Sequence, residues 1–116
     1  MSEIIDLPDF MERVQDDKEL LLELLDIFQE DFIGKRQLLD EAIKTSDITK
    51  IKEVAHSLKG ASGNISAKTM HANFLKIEHA AKTDDVNQIA SVLKDVDVQF
   101  EQIKQFAVKV KKEFTA

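Results

Sequence analysis

His56, Lys59, Gly60 and Gly63 stand at i, i+3, i+4 and i+7 in the segment AHSLKGASGNI, residues 55–65. A helix repeats about every 3.6 residues, so this spacing places all four on one face. A neutral imidazole is a competent nucleophile near physiological pH, because its unperturbed pKa is about 6.5. A glycine inside a helix costs about 1 kcal/mol relative to alanine, so two beside a histidine cost roughly 2 kcal/mol with no evident packing return. Their use is therefore sought outside helix stability: missing side chains open a flat approach to the imidazole, and Gly60 and Gly63 are assigned to partner access. Lys59, one turn away, can lay its ammonium beside whatever group the ring acquires. That group is most naturally an anion, and phosphoryl oxygens suit a movable lysine charge. Lys50, Lys52 and Lys68, nearby in sequence, point the same way. Transfer through such a site is largely positioning plus charge stabilisation, with any metal supplied by a partner.

A lone surface histidine is usually of no consequence, and the glycines and lysine at helical spacing reverse that judgment for His56. His71 and His79 lie on the fourth helix without the Glu-x-x-His pattern of a di-metal bundle, so both are read as surface or half-buried side chains. The carboxylates of the first two helices read as a solvated face rather than acid–base machinery. There is no cysteine, which excludes disulfide and thiolate chemistry. Without a Gly-rich phosphate loop or kinase signature there is no means of binding ATP, so the chain is not expected to phosphorylate itself.

The elements that must position His56 are helical, since the chain has one Pro, three Gly and no Tyr or Trp. Pro8 suits the first turn of a short helix reaching about Val14, with Leu7, Phe10, Met11 and Val14 as its apolar face. Asp16 with Glu19 has the form of a capping box ahead of Leu21, Leu25, Phe28 and Phe32, in a helix running to about Lys44. Gly34 interrupts that helix, as a bend or a close contact would. Thr45-Ser46-Asp47 stops it and caps a third, which buries Ile48, Ile51, Ala55, Leu58, Ser62 and Ile65 and leaves His56 off the stripe. Ser66 serves as N-cap of a fourth helix with the stripe Met70, Phe74, Ile77 and Ala81. Thr83-Asp84-Asp85 ends it and caps the last, whose seam runs Val86, Ile89, Leu93, Val96, Phe100, Ile103, Ala107, Val110 and Phe114. The economical arrangement is all-α: an antiparallel four-helix bundle with a short additional N-terminal helix. A coiled-coil dimer along the last seam is the weaker reading, because the other helices also need a surface to bury against.

At 116 residues, with 43% apolar and 33% charged residues, the chain is expected to form a single domain over residues 1–116. No run approaches the roughly 20 apolar residues of a membrane span, and the N-terminus lacks a signal peptide, so a soluble, cytoplasmic protein is expected. Met1 and the complete helical set favour a free-standing protein. The net charge of -6 argues against binding nucleic acid. Yet residues 48–83 hold 6 bases against 2 acids, a basic island around His56 in an otherwise acidic chain.

Residues 55–65 resemble the phosphorylation motif of histidine phosphotransfer (HPt) domains, His-x-Leu-Lys-Gly followed by small residues. The resemblance extends more loosely over the whole chain through the helix pattern. It implies a two-component multistep phosphorelay in which His56 of a helical bundle accepts a phosphoryl group at Nε2 from a receiver-domain aspartyl phosphate and passes it to another receiver aspartate. It further implies that Lys59 steadies the phosphoryl group and that Gly60 and Gly63 keep the surface open. The implied partners are response-regulator receiver domains and a hybrid sensor kinase. No cofactor or metal is expected on this chain, with Mg²⁺ on the receiver, and a monomer is expected. Phe10 and Met11 are candidates for the docking surface. Many family members have Gly ten residues after the histidine, where Ser66 stands here, which implies a changed turn. The competing reading is a non-catalytic helical module that docks receivers without carrying phosphate. A metal- or oxygen-handling bundle enzyme would need inward His and Glu pairs that the stripes lack.

Overall fold

A computed structural model describes residues 3–115; Met1, Ser2 and Ala116 lie outside the described residues. Five helices follow in order: α1 (Leu7–Arg13), α2 (Lys18–Lys44), α3 (Ile48–Asn64), α4 (Lys68–Lys82) and α5 (Val86–Thr115). Helices α2 to α5 run antiparallel to their chain neighbours, each packing on the next, and α5 closes the ring on α2. The short α1 lies against one end of this four-helix bundle, where its leader and the α3–α4 turn are joined by the Asp6 N–H donating to the Ser66 carbonyl at 3.0 Å. Among the described residues, no helix is long and apolar enough to cross a membrane.

The apolar stripes meet along the bundle axis. Phe32 of α2 stacks on Phe100 of α5 with ring centroids 4.0 Å apart and meets Phe74 of α4 edge-on at 6.5 Å, so one aromatic ties three helices. Around it Leu25, Leu58, Met70, Ile77, Leu93 and Ile103 are buried. The buried amide of Asn73 donates to the Gln99 side-chain carbonyl at 3.1 Å, which satisfies both groups across α4 and α5. Arg36 of α2 clamps both oxygens of Asp97 on α5 at 2.8 and 3.1 Å. The α5 seam is thus consumed within the chain, apart from exposed Val86 and half-buried Ala107 and Phe114.

The turns between the helices share one construction. A residue in the left-handed region, Asp16, Ser46, Ser66 or Asp84 at φ 62, 55, 59 or 53°, precedes the residue that caps the following helix. Asp17, Asp47 and Asp85 fill that cap and accept from the backbone N–H three residues on. Two sequence expectations shift by one residue in consequence. Asp16 is not the N-cap of α2, and its pairing with Glu19 is no capping box, because Asp16 makes the turn and Asp17 caps. Likewise Ser66 makes the turn, leaving Ala67 at the cap of α4 with no side-chain hydrogen bond. Gly34 makes no close contact: α2 runs through it unbroken, and nothing lies within 4 Å of where its Cβ would be.

Candidate functional site

His56 sits halfway along α3 on the side turned away from the core, with 72% of its side chain exposed. Helix α4 runs back alongside, which brings Glu78 to the same spot. One Glu78 oxygen lies 2.7 Å from the Lys59 ammonium and the other 3.5 Å from His56 Nδ1. The Lys59 and Glu78 side chains are only 19% and 16% exposed, so the pair lies flat on the protein beside an imidazole that stands out from it. Burial pushes the Glu78 carboxyl up, but the Lys59 ammonium, helped by His56, more than offsets this and holds it below the usual carboxylate value. Glu78 is therefore an anion at neutral pH, and the carboxylate and ammonium compensate one another. On the other flank, Lys35 of α2 donates to the Ser57 hydroxyl at 2.6 Å and pairs with Asp31 at 2.9 Å. Both sides of α3 are fastened at the level of His56.

The two glycines of the face differ. Above Gly60 there is open space, with nothing within 4 Å of a notional Cβ. The space above Gly63 is taken by the His71 ring, 3.3 Å from where that Cβ would be. Gly63 thus does have a packing return, contrary to the expectation that both glycines lack one. Lys50 and Lys52 stand exposed on α3, whereas Lys68 is paired with Asp6 at 2.9 Å at the start of α4. Phe10 is fully buried and Met11 half-buried against the core, so Phe10 cannot be the docking surface proposed for it.

Ser66 is buried at the base of this face. Its hydroxyl donates to Asp9 at 2.6 Å, and that bond, with a second from Arg13, holds the Asp9 carboxyl below its ordinary value. Glu78 is the residue beside His56 and Lys59 that helical spacing does not reveal. Its one signal is that the basic island of residues 48–83 contains only two acids, Glu53 and Glu78.

A sequence model of the Hpt domain matches residues 23–110, nearly all of the four bundle helices. The chain belongs to the Hpt domain family. Hpt domains are phosphocarriers of two-component phosphorelays rather than kinases, and they work with receiver domains. Among solved structures the chain is similar to histidine-containing phosphotransfer protein B (HptB) from Pseudomonas aeruginosa PAO1, at TM-score 0.83 and 19% identity, over 97% of this chain and 96% of that one. At that identity the likeness speaks for the bundle with its additional N-terminal helix. Comparison with curated protein sequences gives no match.

Proposed function

We propose that this Hpt domain carries its phosphoryl group on His56 Nε2, receiving it from a receiver aspartyl phosphate and delivering it to a second receiver aspartate. The observation that carries the reading is an exposed imidazole whose Nδ1 faces the carboxylate that also grips the adjacent lysine. A carboxylate accepts only, so it favours the tautomer with the proton on Nδ1 and the lone pair on Nε2. That lone pair attacks phosphorus, the bond from phosphorus to the aspartyl oxygen breaks, and the aspartate leaves with the electron pair. The phosphorylated ring keeps its Nδ1 proton and carries added positive charge, which Glu78 faces. The Lys59 ammonium has three donors; one serves Glu78 and the others serve phosphoryl oxygens. Mg²⁺ bound by the receiver supplies the remaining charge stabilisation, and the chain itself needs neither cofactor nor ATP.

The receiver seats over Gly60, where the surface is open. Beside it, Ile27, 60% exposed, lines a shallow groove with Leu24, Ala61 and Asn64 between α2 and α3. Leu75, one turn before Glu78 on α4, supplies apolar surface on the opposite flank. The chain works as a single-domain monomer in the cytoplasm, loaded through a receiver such as that of a hybrid sensor kinase. Incubation with a phosphorylated receiver domain tests this: the chain should gain an acid-labile, base-stable label that His56→Gln abolishes. Label surviving in that variant would overturn the site assignment, and binding of receivers without any transfer would favour a docking module.

A further inference from the structure

Gly63 and His71 face each other across the α3–α4 interface. The His71 ring lies against the bare Cα of Gly63, where a Cβ would come within 3.3 Å of Nδ1 and 3.7 Å of Cε1. From that seat Nδ1 reaches the main-chain carbonyl oxygen of Lys59 at 2.8 Å. A carbonyl only accepts, so Nδ1 carries the proton and donates, whether the ring is neutral or charged. By helical register the same oxygen is the partner of the Gly63 N–H, so His71 adds a second donor to a carbonyl already inside the α3 ladder.

The location of this tie gives it its consequence. Two glycines within four residues loosen a helix, and Gly60 has no neighbour to hold it. The carbonyl that His71 grips belongs to Lys59, whose ammonium is held by Glu78 at 2.7 Å. His71 and Glu78 are seven residues apart on α4, two turns along one face. Helix α4 therefore holds Lys59 twice, by its main chain through His71 and by its side chain through Glu78.

We propose that His71 is a positioning residue for phosphoryl transfer at His56, and that Gly63 is glycine in order to seat its ring. The inference rests on the reading of His56 as the phosphoryl carrier. It assigns the glycine of the motif that lies farthest from His56 to an internal contact rather than to the partner's approach.

The test uses the full chain and a small phosphodonor, phosphoramidate, so that no receiver surface enters. His71→Ala and Gly63→Ala should each slow labelling of His56 about tenfold, since a small misplacement of a positioning group has effects of at least that order. In the double variant Gly63→Ala/His71→Ala the labelling should be no slower than in either single variant, because both act through one contact. His71→Asn, whose amide nitrogen can stand where Nδ1 stood, should recover to within about threefold of the unaltered chain. In the unaltered chain at a pH where His71 is neutral, the imidazole ¹⁵N spectrum should show its proton on Nδ1. Additive losses in the double variant, an Asn variant as slow as the Ala variant, or a proton on Nε2 would each overturn the proposal. Should the substituted chains fail to fold, the tautomer in the unaltered chain still decides against it or for it. An unaltered chain that accepts no phosphoryl group from either phosphoramidate or a receiver would instead overturn the phosphocarrier reading itself, and the proposal with it.

Discussion

Glu78 and Lys59 are joined at 2.7 Å across α3 and α4, and the second Glu78 oxygen is turned toward His56 Nδ1 at 3.5 Å. Replacing the carboxylate by an amide of the same shape leaves Lys59 without its counter-charge and offers His56 either a donor or a weaker acceptor. Glu78→Gln is expected to slow phosphoryl acceptance about tenfold, equivalent to about 1.4 kcal/mol in the barrier. Rapid-quench transfer assays from a phosphorylated receiver measure it. An unchanged rate would remove Glu78 from the site.

Gly34 and Gly60 both face open space in helix interiors, so alanine should be accommodated at each. Each substitution is expected to stabilise the fold by about 0.5–1 kcal/mol, seen as a rise in the thermal midpoint. Only Gly60→Ala should slow transfer from a receiver, because only it adds bulk beside His56. Equal transfer rates for the two variants would show that Gly60 does not govern access.

Ile27 tests the docking surface. Ile27→Asp should weaken receiver-driven labelling of His56 by about tenfold or more, since an apolar contact is replaced by a charge that must be desolvated on docking. Labelling by phosphoramidate should be unaffected in the same variant, which separates docking from chemistry. Loss of both would mean that the substitution damages the bundle.

Ser66 holds a left-handed backbone at φ 59° and a hydrogen bond to Asp9 at 2.6 Å, and the two pull in opposite directions. Ser66→Gly should relieve the backbone cost of roughly 1 kcal/mol while losing the hydroxyl, for a small net change. Ser66→Ala keeps the cost and loses the bond, and should destabilise by about 1–2 kcal/mol. Urea unfolding of the two variants ranks them, and alanine at or above glycine would contradict the assignment.

Acid should weaken the chain through groups that the fold holds below their ordinary values. Asp6 is lowered by Lys68 and the Asp9 N–H, Asp9 by Ser66 and Arg13, and Glu78 by Lys59 and His56 against its burial. A carboxyl whose folded pKa is depressed binds fewer protons folded than unfolded, so its stabilisation is present above the ordinary carboxylate value. It is lost as the pH falls through the lowered one. Unfolding midpoints should therefore decline below about pH 4, with a shallower decline in Ser66→Ala, where Asp9 loses its first partner. An equal slope in both chains would show that Ser66 does not set the Asp9 carboxyl.

Much of this molecule can be read from the order of its residues, because helix periodicity and capping are local. The stripes through Phe28 and Phe32, Met70 and Phe74, and Phe100 and Ile103 are where the core is, and Asp47 and Asp85 cap as their positions suggest. The face that gathers His56, Lys59, Gly60 and Gly63 follows from spacing on one helix. Cap and turn are ambiguous by one residue where a turn must spend a left-handed residue before the cap, at Asp16 and Ser66, since both positions accept the same short polar side chains. Phe10 misled for a different reason: apolar periodicity in a short helix says which face is apolar, not whether a neighbour covers it.

What only the tertiary structure decided is how α4 lies against α3. Glu78 and His71 are 22 and 15 positions beyond His56, separations at which no helical repeat relates them, and only the antiparallel return of α4 brings them beside Lys59. Two meanings changed with that packing. Lys59, a free surface charge by spacing alone, is held flat by Glu78; and Gly63, a bare position by composition, is the seat of a histidine ring. The exposed imidazole of His56 is a property of one helix, while the paired charges beside it are a property of two helices packed in register.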